Sequence, residues 1–222
     1  MKKTIIVIGA SRGIGLALSK QLLQKGNTVI GTSRNGEISE IQEKEFSVYR
    51  LDISDLKSIS QFVVEIEKSK FKIDLLINNA GIGPDLYTEF PESNKFDSTF
   101  EVNVRGIVFL TEQLIKLIKK EGKILNVSSK MGSIQSCQNF DSVAYRMSKS
   151  ALNMYTKILS NRLEKIAVAS IHPGWVKTTI ANEKKEGRLT PKESAEKIVK
   201  YLESNFTDGD FWDAERDMKI EW

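Results

Sequence analysis

The β-branched apolar run Thr4–Ile8 (TIIVI) passes directly into Gly9-Ala10-Ser11-Arg12-Gly13-Ile14-Gly15. This junction limits the possible folds more than any other segment. Glycines at this spacing let the backbone turn tightly after a strand, approach a diphosphate closely, and start a helix against the sheet. Ile14, Leu18 and Leu22 follow at helical spacing, so the loop opens an amphipathic helix. The first turn of that helix offers unpaired N–H groups and a positive dipole end. A strand, a glycine turn and a helix in this order form a phosphate-cradling unit. Gly9, Ser11, Arg12, Gly13, Ile14 and Gly15 are its candidate contacts.

The rest of the chain repeats the alternation. Short apolar runs recur at Thr28–Gly31, Ser47–Leu51, Asp74–Ile77, Lys123–Val127 and Ala167–Ile171. Continuous runs of this length suit strands buried on both faces of a parallel sheet. Between them lie residues at helical spacing: Ile59, Phe62, Val63 and Ile66; Phe109, Leu110, Leu114 and Leu117; Leu152, Tyr155, Ile158, Leu159 and Leu163. The pattern predicts a doubly wound α/β sheet, a Rossmann fold, in a single domain over residues 1–222. Thr178–Leu189 is polar and aperiodic and reads as a surface loop. Thr190, with Pro191 and Glu193 behind it, reads as the N-cap of another helix.

Composition removes several alternatives. The net charge is +4, and the densest basic spots, Lys119-Lys120 and Lys184-Lys185, are flanked by Glu121, Glu183 and Glu186. They read as solvated faces and not as a nucleic-acid surface. Cys137 is the only cysteine, so no intrachain disulfide can form. With His172 as the only histidine, no metal site is expected. The apolar run behind Met1-Lys2-Lys3 is too short for a signal sequence, and no stretch has the length of a membrane span. These features lead to an expectation of no membrane partner and a cytoplasmic location.

Further motifs follow in order. Asp52 and Ile53 follow the third apolar run, and Asn78-Asn79-Ala80-Gly81 closes the fourth. Asn103 sits in Val102-Asn103-Val104-Arg105-Gly106, and Ser128-Ser129 ends the fifth run. Tyr145-Arg146-Met147-Ser148-Lys149 comes next, then Pro173-Gly174, Val176 and Thr178. Over almost its whole length the chain resembles the short-chain dehydrogenase/reductase family. The short loop after Thr178 and the phrase Val127–Ile134 are similar to its small carbonyl-reductase branch, which includes sniffer and C-factor proteins.

The resemblance implies an oxidoreductase that passes hydride between NADP(H) and a small carbonyl or alcohol. It implies Ser129, Tyr145, Lys149 and Asn103 as the catalytic set. Tyr145 and Lys149 are four residues apart, which on a helix places them one turn apart on the same face. A nearby ammonium is expected to lower the tyrosine pKa so that it can exchange a proton with the substrate oxygen. Two serines compete for the carbonyl contact. Alignment on Ser-Ser-x-x-Gly, ending at Gly132, favours Ser129 and makes Ser128 structural, with Ser133 a weaker rival. An insertion around Ser136–Asp141 explains the long interval to Tyr145. In the family Asn103 holds a helix kink and a water that extends the proton relay to Lys149. His172 reads as a packing residue and not a base.

The resemblance also assigns cofactor contacts to Asp52, Ile53, Asn79, Ala80, Gly81, Tyr145, Lys149, Pro173, Gly174, Val176 and Thr178. Ser33 stands where an NAD-preferring site carries an acidic residue, and Arg34 and Arg12 can grip a 2′-phosphate, so NADP(H) is expected. Substrate loops are expected near residues 82–94, 130–141 and 174–190. Trp175 and the segment Met131–Phe140, with Cys137, are the expected pocket walls for small aldehydes, ketones or quinones. Pairing through two long helices, Lys95–Lys120 and Ser142–Lys165, would give a homodimer or homotetramer. A dinucleotide-binding signalling or regulatory protein, similar to C-factor, is the alternative function.

Overall fold

A computed structural model describes residues 2–180, 186–204 and 206–222. Its centre is a sheet of β1 (Thr4–Ile8), β2 (Thr28–Ser33), β3 (Phe46–Arg50), β4 (Ile73–Asn78), β5 (Ile118–Val127), β6 (Ala167–His172), β7 (Phe211–Asp213) and β8 (Met218–Lys219). The strand order is β3-β2-β1-β4-β5-β6-β7-β8. The pairs from β3 to β7 are parallel, and only β8 runs antiparallel, at the edge. This is one α/β domain of the Rossmann type, as the alternation predicts.

Helices cover both faces because both faces of each inner strand are apolar. In β1, Ile5 and Val7 face a core shared with α1 (Gly13–Gln24) and α6 (Pro191–Ser204). Ile6 and Ile8 face the opposite core, with α2 (Leu56–Lys68), α4 (Ile107–Leu114) and α5 (Val143–Arg162). Full burial of each such side chain contributes roughly 1.5–3 kcal/mol. The chain reverses direction across the sheet between β1 and β4. A crevice therefore opens at the carboxyl ends of these strands, where such sheets bind ligands.

The structure corrects several boundaries. The second strand continues past Gly31 to Ser33, because β3 pairs with it as far as Ser33↔Arg50. The helix expected over Lys95–Lys120 is four pieces: α3 (Ser93–Phe100), a π-helical segment Glu101–Gly106, α4, and a 3₁₀ turn Ile115–Leu117. It stops there because Ile118 pairs with Ile73 of β4, and Lys119 is held by Asp74 at 2.8 Å. The second long helix spans Val143–Arg162, shorter at both ends than Ser142–Lys165. Phe109 and Ile158, expected in core stripes, are exposed on the outer sides of α4 and α5. The last two strands carry no strand-length apolar run; β7 is placed by pairing with β6, and β8 by pairing with β7.

The turn before α6 follows expectation. Thr190 N–H and its hydroxyl donate to Glu193 Oε2, and Glu193 N–H donates back to Thr190 Oγ1. Lys184-Lys185, Glu183 and the tip of the Thr178–Leu189 loop lie outside the described residues. The base of that loop is closed, with Arg188 and Leu189 N–H donating to Trp175 O and Lys177 N–H donating to Leu189 O. Among the described residues no helix is long and apolar enough to cross a membrane.

Candidate active site

The glycine loop is shaped by close approach. Gly9 adopts φ +77°, and a Cβ there would meet Ala80 at 3.0 Å. A Cβ on Gly15 would lie 2.1 Å from Gly9 O and 2.5 Å from Asn79 Nδ2, so α1 starts where only hydrogen fits. Asn79 fastens the loop, its amide donating to Gly9 O at 2.8 Å and Ile8 O at 3.3 Å. Thr32 Oγ1 accepts the Gly9 N–H.

This loop forms one wall of a cavity at the carboxyl ends of the strands. Gly9, Ser11, Arg12, Gly13 and Ile14 line it from the loop, and Ser33 and Arg34 line it from the end of β2. Asp52 and Ile53 line it from the turn after β3, and Asn79, Ala80 and Gly81 from the turn after β4. Tyr145, Lys149, Pro173 and Thr178 complete it. Gly15, Asn103, Ser129, Gly174 and Val176 are not in the lining. Gly15 serves packing, and Gly174, at φ +93°, turns the chain against Leu189 and Glu215. Val176 is buried and bridges to Leu189.

Sequence reading missed other wall residues, among them Thr32, Ser54, Ile82, Val102, Thr179 and Ile180. Val102 reaches the cavity from the π-helical segment, and the others from strand ends and turns, which carry no local motif. Asp52 closes a turn by accepting from Ser54 N–H at 3.0 Å and Ser54 Oγ at 2.7 Å. That hydrogen bonding holds its carboxyl below the usual range, against partial burial. Ser33 Oγ is already engaged, donating to Asn35 Oδ1 and accepting from Glu37 N–H. Arg12 and Arg34 are exposed, and among the described residues neither is in an ion pair.

Tyr145 and Lys149 rise from the first turns of α5, both buried. Lys149 Nζ donates to Val127 O at 3.0 Å and lies 5.7 Å from the centre of the Tyr145 ring. Burial pushes the Lys149 ammonium down to about 8. Burial pushes the Tyr145 phenol up to about 12, opposed by a hydrogen bond with Ser129 and reinforced by Tyr87 and Asp85. This corrects the expected electrostatics, because desolvation outweighs any lowering by the ammonium. Tyr145 is thus a neutral phenol, a form that can give up a proton.

The serines separate clearly. Ser129 is hydrogen-bonded to Tyr145, and its hydroxyl also accepts from Met131 N–H. Ser128 lines the cavity but donates to Lys149 O at 3.4 Å. Ser133 turns away and donates to Glu221 O. Asn103 lies in the π-helical segment, fully buried. Its Oδ1 accepts from Ile82 N–H, and its Nδ2 donates to Ile82 O and Ser148 Oγ. A Cβ on Gly81 would stand 3.4 Å from both Asn103 Oδ1 and Lys149 Nζ, so glycine keeps the space between them open.

Two expected walls lie elsewhere. Trp175 is partly exposed and stacks with Arg188, 5.2 Å from its guanidinium. Residues 131–140 also stand outside the cavity, held to the chain end by Ser133 and by Gln135 N–H donating to Trp222 O. Cys137 is exposed, its thiol near Asn139 O. Burial takes His172 down to about 4, so it is neutral near pH 7. Neither ring nitrogen has a partner among the described residues.

Residues 3–189 match the short chain dehydrogenase family. The chain is a short-chain dehydrogenase. This short-chain dehydrogenase is 32% identical over 187 residues to the 3-oxoacyl-[acyl-carrier-protein] reductase of Buchnera aphidicola subsp. Schizaphis graminum, covering 81% of this chain and 75% of the relative. Its fold superposes on the carbonyl reductase Sniffer of Drosophila melanogaster with a TM-score of 0.90 and 27% identity, over 100% of both chains. NADPH-bound carbonyl reductase from chicken fatty liver gives 0.88 and 28%, over 100% of this chain and 99% of the other. The short-chain dehydrogenase is therefore an oxidoreductase of carbonyl reductase-like architecture.

Proposed function

We propose that this short-chain dehydrogenase reduces small carbonyl compounds with NADPH, Tyr145 being the proton donor. The observation that carries the reading is that Tyr145 and Lys149 line the same cavity as the glycine loop, with Ser129 hydrogen-bonded to the Tyr145 phenol from behind the lining.

The residues present fit a dinucleotide. The loop backbone and the first turn of α1 would take the diphosphate. Asp52 and Ile53 would border the adenine, while Asn79–Gly81 and Lys149 would border the nicotinamide riboside. Arg12 and Arg34, with Ser33 in place of a carboxylate, support a 2′-phosphate. When bound, the cofactor supplies a hydride. Ser129 and Tyr145 hold the carbonyl oxygen, Tyr145 protonates it, and the Lys149 ammonium stabilises the resulting phenolate. Asn103 holds the backbone of Ile82 beside Lys149.

The carbonyl reductases among the structural neighbours support a small carbonyl substrate. The base of the 174–190 loop is pinched by three backbone hydrogen bonds, which suits a modest lid. Pairing of two copies through the exposed faces of α4 and α5 belongs to the same reading. The test is NADPH oxidation over a panel of aldehydes, ketones, quinones, steroids and acyl-carrier thioesters. Turnover of the small carbonyls is expected. Activity confined to steroids or acyl-carrier substrates, or none at all, would overturn it.

A further inference from the structure

The loop after β4 is clipped onto the start of α5 by a residue that no catalytic motif includes. Asp85 is 1% exposed, and its Oδ2 accepts the backbone N–H of Tyr145 at 3.2 Å. That N–H lies in the first turn of α5, where helix donors have no partner within the helix. The first intrahelical bond runs from Arg146 N–H to Ser142 O. The residue preceding the helix, Ser142, does not cap it. It is in the left-handed region at φ 57°, and its hydroxyl accepts from Tyr87 N–H at 3.0 Å. Ser142 N–H donates to Thr88 O at 2.8 Å. The loop thus supplies the cap that the helix lacks.

The same loop is folded tightly on itself. Thr88 N–H and its hydroxyl both donate to Asp85 O. Tyr87 adopts φ 68°, a conformation that side chains rarely take and that persists only where surroundings hold it. A Cβ on Gly83 would stand 3.1 Å from the Tyr145 ring, so the loop also presses on the phenol side of the helix. Asp85 Oδ1 is buried without a hydrogen-bond partner. A buried carboxylate with one free oxygen is costly in a fold. Its place at a helix N-terminus, beside the reacting tyrosine, offsets part of that cost through the dipole.

We propose that Asp85 is a positioning residue for Tyr145: it caps α5 from the β4 loop and fixes the turn that carries the phenol. The inference rests on Tyr145 being the proton donor. Its charge also acts on the phenol. Ser129 hydrogen-bonds the phenol and favours its ionised form, whereas Tyr87 and Asp85 oppose ionisation, and the Lys149 ammonium faces the ring.

The test combines amide hydrogen exchange with kinetics on Asp85→Ala and Asp85→Asn. Loss of the cap in Asp85→Ala should speed exchange of the Tyr145 amide about tenfold and lower kcat by a similar factor. Exchange in β1 and β4 and the NADPH dissociation constant should stay as in the wild type. Asp85→Asn keeps an oxygen acceptor, so it should restore the slow exchange while moving the alkaline limb of kcat/KM to lower pH. Unchanged Tyr145 exchange in Asp85→Ala would overturn the proposal. So would an Asp85→Ala variant that loosens β1 and β4 along with the helix start, or an Asp85→Asn variant whose Tyr145 amide exchanges as fast as in Asp85→Ala or whose alkaline limb is unmoved. A wild type that reduces no carbonyl, with the exchange results as expected, would remove the catalytic reading but leave the cap in place.

Discussion

Lys149 Nζ lies 5.7 Å from the centre of the Tyr145 ring, one helical turn along α5, and spends a hydrogen bond on Val127 O rather than on the phenol. The two buried side chains are therefore both tied to the end of β5, Lys149 at Val127 and Tyr145 at Ser129, rather than to each other. Tyr145→Phe should cut turnover roughly 100-fold or more, the usual size of a lost general acid. Its NADPH affinity should change little. Lys149→Ala should damage both. Steady-state kinetics and NADPH fluorescence titration check this, and a Tyr145→Phe variant retaining most of its rate would reassign the donor.

The same lysine makes a stability prediction with a definite sign. Its pKa falls from 10.5 to about 8 in the fold. Below about 8 both folded and unfolded chains carry the charge, so the folded state bears the full burial cost, about 3 kcal/mol. Between about 8 and 10.5 the folded lysine loses its proton first, and the cost fades as pH rises. Lys149→Met removes it but leaves Val127 O without its donor, which costs about 1–3 kcal/mol. At pH 7 the variant should melt roughly 2–4 °C higher than the wild type. The gap should shrink as the pH approaches 10. Thermal melts at a series of pH values read this directly, and a gap that widens with pH would contradict the burial account.

Cofactor choice should follow the end of β2. Arg34 and Arg12 are exposed at the cavity and free of ion pairs among the described residues, and Ser33 brings no negative charge. The wild type should show a higher kcat/KM with NADPH than with NADH. Ser33→Asp combined with Arg34→Ala should shift the preference toward NADH, since a carboxylate there repels a 2′-phosphate and binds ribose hydroxyls. A wild type favouring NADH, or a double variant whose ratio stays put, would contradict the assignment.

Gly15→Ala should be severe for a residue with an ordinary helical role. Its Cβ would fall 2.1 Å from Gly9 O, a backbone atom held in place by Asn79. Overpacking of this kind costs typically 1–3 kcal/mol. Relief requires moving α1 off the glycine loop, so NADPH affinity should fall with stability. Gly26→Ala has open space around its Cβ but sits at φ +81° and should cost stability alone. Comparing chemical denaturation with NADPH binding in the two variants separates the effects.

Much of this was determined by the sequence itself. Apolar runs such as Thr4–Ile8 have no polar face to expose, so they must be buried on both sides, and the helices between them must cover the sheet. The glycine loop and the Tyr145–Lys149 spacing are local too, because the turn and the helical period are set by adjacent residues. Tertiary structure decided what depends on distant partners. Ser129 was separated from Ser128 and Ser133 only when β5 and α5 came together and Glu221 drew Ser133 away. The ionisation of Tyr145 follows burial rather than the neighbouring ammonium, and burial is a property of the packed whole. The helix beyond Leu117 yielded to pairing of Ile118 with Ile73. Asp85 caps a helix that begins 58 residues later (143 − 85), a relation that neither spacing nor periodicity can express, because only the folded sheet brings the β4 loop to the start of α5.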